Sequence, residues 1–222
     1  MPNTNPPITD AAAFALASGI AQRGAVCDYA LYVGASLDNA GTIADLAPGA
    51  AALKLYLCDT FTTLRLDDSR VWQEHLRAWP HTRPLCVHAE YAAHTSSLPA
   101  VLFLCMSVKR PLHVCHVSKR AELELIISAK EAGLPVTCEV CPHHLFLTQD
   151  SKVLNSAVKP SLGSEEDRLF LWDNISYIDV FATDHAPHTG ILPLSTIHGH
   201  IGSCTVLIHL LFTKPRFTKI IE

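Results

Sequence analysis

The sequence lacks the features that mark several classes of protein. Its 17 lysine and arginine residues form no cluster, and a formal charge of −4 with a pI near 6.3 argues against nucleic-acid or membrane-surface binding. The apolar runs at residues 101–106 and 206–212 are far shorter than the roughly 20 residues that cross a bilayer. Residues 1–10 have neither the basic nor the apolar region of a secretory signal. We therefore expect neither nucleic acid nor a membrane as a partner.

The composition also argues against a disordered chain and against a disulfide scaffold. Hydrophobic residues make up 49% of the chain and the mean hydropathy is +0.21, which predicts a large buried core. Eight cysteines in 222 residues do not resemble a disulfide framework, and Cys86, Cys115 and Cys138 lie inside apolar, strand-like runs. These cysteines favour a reducing, cytoplasmic location.

Short apolar runs alternate with longer helical stretches along the chain. Strands are predicted at residues 29–34, 52–57, 85–88, 112–116, 135–140 and 178–183. Helices are predicted at residues 10–23, with Thr9 as the cap, at 69–78 and at 119–131. Such a βα alternation indicates an α/β fold with a parallel sheet covered on both faces.

Chemically active residues follow several different strands, which favours a (β/α)8 (TIM) barrel over an open doubly wound sheet. The Gly-rich turn of a dinucleotide-binding fold is absent. Six predicted strands are two fewer than a barrel requires, so we expect a partial barrel. Residues 190–222 change character and continue neither the strand nor the helix pattern.

Four histidine-containing clusters fall at or just beyond predicted strand ends. They are His88-Ala89-Glu90, His113-Val114-Cys115-His116, Pro142-His143-His144 and Asp184-His185-Ala186-Pro187-His188. Imidazole, thiolate and carboxylate groups gathered at one end of a barrel would suit zinc. Taken singly, His143, His144 and His185 are interpreted as core or hydrogen-bonded histidines.

Three further charged residues occupy positions that call for a partner. Lys54 lies within an apolar strand, where burial would lower its pKa and make the neutral amine available for covalent chemistry. Alternatively, the strand is an edge strand and the Lys54 side chain extends to solvent. Glu139 is a charge in another apolar strand. Asp184 ends the last strand and could bind a metal, transfer a proton, or only cap a turn.

Together these motifs resemble dihydroorotase, an amidohydrolase, and in particular the dihydroorotase domain of animal trifunctional pyrimidine-synthesis polypeptides. The resemblance covers residues 1–189, so these residues are expected to form an incomplete dihydroorotase-like barrel and residues 190–222 a divergent tail. The motifs that carry it are Met1-Pro2-Asn3-Thr4, Leu53-Lys54-Leu55-Tyr56-Leu57, Val87-His88-Ala89-Glu90, His113-Val114-Cys115-His116-Val117, the run PVTCEVCPHHLFL at 135–147, and Asp184-His185-Ala186-Pro187-His188.

The resemblance implies a binuclear zinc enzyme that interconverts N-carbamoyl-L-aspartate and dihydroorotate. Lys54 would be carboxylated and bridge two zinc ions, while His88 and His116 bind one zinc. Asp184 would bind the other zinc and act as the catalytic proton carrier. Cys115 and Glu139 match positions that hold a third zinc. The residues implied in substrate binding are Asn3, Thr60, Phe61, Lys159 and His188.

The sequence also departs from the resembled family. The family has a His-x-His-x-Arg motif on its first strand, and this chain begins after it, so the first strands are missing. Lys159 stands where the family has an arginine, and a lysine cannot form a bidentate fork on a carboxylate. We expect the chain alone to bind less zinc than a full domain and to turn over dihydroorotate poorly.

Alternative functions remain open at this point. Allantoinase and dihydropyrimidinase share the barrel and the bridging lysine, and a non-catalytic scaffold would keep only the barrel surface. The expected partners are the small-molecule substrate and either further copies of the chain or the rest of a multifunctional polypeptide.

Overall fold

The computed structural model describes residues 1–60, 63–91, 95–151 and 158–184. Its strands are β1 (Tyr32–Gly34), β2 (Ala52–Tyr56), β3 (Leu85–His88), β4 (Leu112–Val114), β5 (Val136–Val140) and β6 (Val180–Phe181). Its α-helices are α1 (Ala11–Gly24), α2 (Ser69–Ala78), α3 (Ser97–Ser107), α4 (Arg120–Glu131), α5 (Pro142–Phe146) and α6 (Glu165–Asp173). Short 3₁₀ helices lie at Ile43–Leu46 and Ile175–Tyr177.

The chain divides into two compact units. The first comprises Met1–Cys115 and Glu124–Thr137, and the second comprises His116–Leu123 and Cys138–Glu222. The boundary passes through α4 and β5, so each of these elements contributes residues to both units.

In the first unit, β1 to β4 are parallel and each pairs with the next strand in the chain. Lys54 of β2 lies opposite Cys86 of β3, and Tyr56 lies opposite His88. β4 continues the sheet by pairing Val114 with Val87. Parallel neighbours joined by helical connections are what the alternating sequence pattern predicts.

Every residue of β2 and β3 is buried. Both strands are therefore covered on both faces, which explains why their sequences are apolar almost throughout. Because side chains alternate between faces, Lys54 and Tyr56 project from one face of β2, and Leu53 and Leu55 project from the other. Ala52, Cys86 and Cys115 pack together, with Tyr32 against them.

Helix α1 begins one residue later than the sequence indicates. Asp10, not Thr9, is its N-cap, because the Asp10 carboxylate accepts the Ala13 N–H at 2.8 Å. Helix α2 has the predicted bounds and begins after Asp68, whose carboxylate accepts the Arg70 N–H. Helix α3 was not predicted, because it is apolar around its whole circumference and shows no periodic polar face.

Arg110 is a buried anchor beside β4. Its guanidinium is fully buried and donates to the carbonyl oxygens of Trp79, Pro80 and Arg83 at 2.6, 3.1 and 3.4 Å. These carbonyls follow α2, so the guanidinium joins the end of that helix to the start of the fourth strand. The planar fork of arginine suits three acceptors spread over a loop.

In the second unit, the last residues of β5 pair in parallel with β6, and Glu139 lies opposite Val180. Ser164 and Asp167 form a capping box at the start of α6, in which each side chain accepts a backbone N–H of the other residue. Asp167 also accepts the Arg120 N–H at 2.9 Å, so one carboxylate caps both α6 and α4. Among the described residues, no helix is both long and apolar enough to cross a bilayer.

Candidate metal centre

Lys54 occupies the middle of β2 and is fully buried. Its Nζ atom lies 5.4 Å from the centre of the Tyr56 ring, and the Cys115 thiol is a polar neighbour. The reading of Lys54 as a side chain that reaches solvent from an edge strand is therefore wrong. Burial of an amine is costly, and a ligand or a covalent modification would offset this cost.

The pKa of Lys54 moves in the opposite direction from the one expected. Burial lowers the pKa of the Lys54 ammonium, but the neighbouring thiol of Cys115 and hydroxyl of Tyr56 raise it more, so the net pKa is raised. Cys115 acts here as an acidic neighbour on the same face of the sheet. The sequence could not show this, because Cys115 is 61 residues away along the chain.

His88 is the last residue of β3 and is almost completely buried. Its Nε2 atom lies 3.1 Å from the Asp59 carbonyl oxygen and 3.6 Å from the Glu90 carboxylate. A carbonyl oxygen can only accept, so Nε2 carries the hydrogen and Nδ1 carries the lone pair. Burial lowers the pKa of His88, and the Glu90 carboxylate opposes this shift without reversing it. The neutral imidazole can therefore offer Nδ1 to a metal ion.

Cys115 follows the last residue of β4 and is buried. Its N–H donates to the Val87 carbonyl at 3.0 Å, which continues the pairing with β3 beyond the end of β4. The alternation of side chains then places Cys115 on the same face as Cys86 and Lys54. An amine, an imidazole and a thiol thus share one face of three consecutive strands, and this donor set suits zinc.

Asn3 and Thr60, two of the residues implied in substrate binding, also belong to the first unit. Asn3 is exposed and follows Pro2, whose ring lies 3.2 Å from the position that a Cβ on Gly34 would take. Asn3 therefore lies near the carboxyl end of β1. Thr60 follows Asp59, the residue whose carbonyl faces His88.

His116 and Asp184 belong to the second unit and share an unusual backbone conformation. Both follow strands, and their φ angles are +40° and +47°. Left-handed backbone is strained for residues other than glycine and is found at functional sites. β4 stops at Val114, so Cys115 and His116 lie just beyond the end of the strand.

Glu139 is a half-buried residue of β5, and its carbonyl oxygen accepts the Val117 N–H at 2.8 Å. This bond brings the segment after His116 alongside Glu139 within the second unit. Lys159 precedes Pro160, whose carbonyl oxygen lies 3.2 Å from His144 Nε2. Phe61, His188 and residues 190–222 lie outside the described residues.

Two donors, Cys58 and Cys141, were missed by the sequence reasoning. Cys58 donates to the Glu90 carboxylate at 3.5 Å and forms a cluster with it and His88. Cys141, His143 and His144 form a second cluster, in the second unit. The Cys-x-His-His spacing at 141–144 was a signal that could have identified the second cluster.

The fold is similar to the folds of solved α/β proteins of the hydantoinase and dihydroorotase-like type. It is similar to the L-hydantoinase of Arthrobacter aurescens, with a TM-score of 0.76 and 23% identity, over 89% of this chain and 55% of that one. It is also similar to the inactive dihydroorotase-like domain of a Chaetomium thermophilum CAD-like multifunctional protein, with a TM-score of 0.73 and 27% identity, over 93% and 59%. These likenesses confirm the predicted fold class, an α/β partial barrel.

The sequence is similar to the dihydroorotase region of CAD-type polypeptides, which confirms the resemblance drawn from the motifs. It is 46% identical over 193 residues to the multifunctional protein CAD of Squalus acanthias and 46% identical over 194 residues to the multifunctional protein pyr1-3 of Dictyostelium discoideum. It is 32% identical over 211 residues to the dihydroorotase of Pyrococcus abyssi.

Each of these similarities covers 85% of this chain, but 8% of either multifunctional relative and 47% of the Pyrococcus enzyme. The chain therefore spans less than half the length of these relatives. No protein-family model matches it.

Proposed function

We propose that the chain acts as a zinc-dependent cyclic amidohydrolase of the dihydroorotase type, in the interconversion of N-carbamoyl-L-aspartate and dihydroorotate. The observation that carries this proposal is the fully buried Lys54 amine, which shares one face of the sheet with His88 and Cys115. Addition of carbon dioxide would convert this amine into a carbamate, an anionic oxygen donor of the kind that metal ions bind. The similarity to dihydroorotases supports the choice of substrate.

The donor groups suit zinc in number and in type. Lys54, as a carbamate, would bridge two zinc ions, with His88 and His116 on one ion and Asp184 on the other. Cys115 and Glu139 would hold a third ion. When bound, the zinc ions supply the Lewis acidity that activates the amide carbonyl and the attacking water.

The protein residues then have separate tasks in the hydrolytic direction. Water attacks the ring amide carbon, a C–O bond forms, and the amide C–N bond breaks. The Asp184 carboxylate takes the proton from the attacking water and returns it to the departing nitrogen. Lys159 and His188 bind the free carboxylate of the substrate, and Asn3 adds a neutral hydrogen-bonding group.

Thr60 and Phe61 are proposed to belong to a segment that closes over the substrate. Thr60 follows the Asp59 carbonyl that faces His88, so its backbone is tied to a proposed zinc ligand. Because a closed segment excludes water, it would strengthen the electrostatic interactions beneath it.

The relatives suggest the setting in which the chain works. CAD and pyr1-3 are multifunctional proteins, and we propose that residues 1–189 are the dihydroorotase-like part of such a polypeptide or of a homo-oligomer. Residues 190–222 are proposed to form a divergent tail. A cytoplasmic location agrees with a cysteine pattern that does not resemble a disulfide framework.

The experiment that tests the proposal replaces the bridging amine. In Lys54→Ala, we expect the zinc content of the full chain to fall and the mass increment of bound carbon dioxide to disappear from the native mass spectrum. Propionate should restore zinc binding at least in part, because a small carboxylate can occupy the space that the side chain leaves. Turnover of dihydroorotate is measured in parallel.

Lys130→Ala, in helix α4, is the matched control and should retain zinc content and mass. The proposal fails if Lys54→Ala binds as much zinc as the unaltered chain. Because burial of Lys54 is part of the fold, circular dichroism must first show that both variants are folded.

A second candidate is a non-catalytic dihydroorotase-like domain. The likeness to the inactive Chaetomium domain favours it. In that case the chain would turn over none of the substrates in a panel of dihydroorotate, allantoin and dihydrouracil, even with zinc supplied. Turnover of allantoin or dihydrouracil alone would instead favour an allantoinase or a dihydropyrimidinase.

A further inference from the structure

A second group of metal-binding side chains lies in the second unit, apart from the residues assigned to the proposed zinc centre. Cys141, His143 and His144 each offer one donor atom, and these atoms lie within 4.8 Å of one another. Cys141 and His144 are almost completely buried, and His143 is half-buried. We propose that these three residues form a zinc site.

The local backbone brings the three side chains together. Cys141 is the N-cap of α5, and its carbonyl oxygen accepts the His144 N–H at 3.0 Å. Residues three apart at the start of a helix project from the same side, so Cys141 and His144 are neighbours. The rings of His143 and His144 are also close, with centroids 4.2 Å apart.

The tautomer of His144 is the one that a metal requires. Nε2 lies 3.2 Å from the Pro160 carbonyl oxygen, which can only accept, so the ring hydrogen is on Nε2. The lone pair is therefore on Nδ1. A backbone carbonyl on the remote nitrogen is the usual way in which a ligating histidine is oriented and made more basic.

The donor set determines the type of metal. One thiolate and two imidazoles suit zinc, which binds sulfur at about 2.3 Å and nitrogen at about 2.0–2.1 Å. Tetrahedral geometry at these lengths separates the donors by about 3.5 Å. The donor atoms lie within 4.8 Å of one another, so the three side chains would close to this spacing on binding. On binding, the Cys141 thiol gives its proton to solvent and forms the S–Zn bond, and water takes the fourth position.

Such an ion would fix one part of the backbone. His144 would join the ion to the Pro160 carbonyl, and Lys159 immediately precedes Pro160. Zinc at this site would therefore hold the start of α5 against the segment that contains a proposed substrate-binding residue. It needs no turnover, so it can be tested independently of the proposed activity.

Cobalt provides the direct test, because a thiolate bound to Co²⁺ gives a charge-transfer band in the near ultraviolet. The full chain with Cys115→Ser, tested in a Cys58→Ser background, lacks the other thiols that lie beside potential metal ligands. We expect this variant to retain a cobalt–thiolate band, and we expect the additional change Cys141→Ser to abolish it. Cys138→Ser is the matched control, because the equally buried Cys138 thiol donates to the Tyr177 carbonyl instead.

A second variant keeps the test decisive if Cys141→Ser does not fold. His143 is only half-buried, so His143→Gln should fold normally, bind one fewer zinc ion at equilibrium, and show at least a tenfold weaker affinity at this site. The proposal is overturned if the chain with Cys58→Ser and Cys115→Ser shows no cobalt–thiolate band, if the band survives Cys141→Ser, or if His143→Gln binds zinc as the unaltered chain does.

Discussion

Glu90 contacts two potential zinc ligands, since its carboxylate lies 3.5 Å from Cys58 Sγ and 3.6 Å from His88 Nε2. A carboxylate on the remote nitrogen makes an imidazole a stronger ligand, and loss of such a group typically weakens metal binding by about 10–100-fold. We therefore expect Glu90→Gln to weaken zinc binding at least tenfold. Its urea midpoint in the presence of a chelator should be nearly unchanged, which separates positioning of His88 from general stability.

Glu74→Gln, on the exposed side of α2, is the control for loss of one negative charge and should bind zinc normally. Equal zinc affinities for Glu90→Gln and the unaltered chain would mean that the Asp59 carbonyl alone orients the ring. The affinities are measured by competition with a chromophoric chelator.

Arg110 allows a prediction about stability rather than metal binding. Lysine at this position keeps the charge but cannot reach the carbonyls of Trp79, Pro80 and Arg83 together, so Arg110→Lys should lower the free energy of unfolding by about 3 kcal/mol. Urea denaturation measures the loss. Arg83→Lys is the control, because the exposed Arg83 side chain donates to the Pro48 carbonyl; a loss of similar size there would contradict the explanation.

At the scale of single residues, the sequence predicted which side chains carry chemistry. It did not predict the contacts that surround those side chains. Lys54 was identified because a charge interrupts an apolar strand, and it is indeed buried. The Asp59 carbonyl that fixes the His88 tautomer lies 29 residues away, and no local pattern encodes such a contact. The raised pKa of Lys54 likewise depends on Cys115, which only the folding of the sheet brings near.

Helices α4 and α6 share one capping carboxylate, which yields a prediction for these elements. Asp167 accepts hydrogen bonds from Ser164 and from the Arg120 N–H. Partial burial alone would raise the pKa of Asp167, but these hydrogen bonds hold it below its ordinary value. Asp167→Asn should therefore lower the free energy of unfolding by about 1–2 kcal/mol near neutral pH.

The pH dependence of this effect has a definite sign. A carboxyl group whose pKa is lowered by folding stabilises the folded state above its ordinary pKa of 3.8, and this stabilisation is lost as the pH falls below that value. The difference in urea midpoint between the unaltered chain and Asp167→Asn should thus shrink under acid conditions. A difference that stays constant would show that the charge of Asp167 is irrelevant; Glu166→Gln, at an exposed neighbour, provides the reference.

Elements with strong periodic or apolar signals were predictable, and others were not. All six strands were predicted, because each is a short apolar run bounded by polar residues, although β6 is much shorter than residues 178–183. Helix α6 was missed even though Ser164 and Asp167 have the spacing of a capping box. The bond from Asp167 to Arg120 spans 47 residues and could not be inferred from local spacing.

For the molecule as a whole, the distribution of thiols predicts a simple reactivity pattern. Of the seven cysteines in the described residues, Cys27 is exposed and the others are buried. Burial also raises the pKa of the Cys105 thiol to about 12, so its reactive thiolate is scarce. Cys27→Ser should therefore remove one equivalent from the fast phase of labelling by an aromatic disulfide reagent.

Cys105→Ser should leave the fast phase unchanged and remove one equivalent only after denaturation, when the unaltered chain should show all eight thiols. Fast labelling of Cys105 would contradict the burial of the helix face on which it lies. The same measurement, repeated with zinc present, reports whether further thiols become protected.

The fold class was predictable from the whole sequence because the apolar strands and the helical stretches between them alternate in a fixed order. The similarity of the fold to hydantoinase and dihydroorotase-like structures agrees with it. The convergence of Lys54, His88, His116 and Asp184 on a shared pair of ions stays a prediction. It depends on side chains that leave separate strands, and sequence order alone does not specify such distances.

The left-handed backbone at His116 and Asp184 lowers the stability of the fold at the positions of two proposed zinc ligands. Glycine adopts such φ angles at no steric cost, whereas a histidine or an aspartate there stores strain on the order of 1–3 kcal/mol. A library selected only for survival of heating should therefore accumulate glycine at these two positions and lose its proposed zinc ligands in the process. A selection that also demands metal retention should keep both side chains and find its stabilising changes elsewhere.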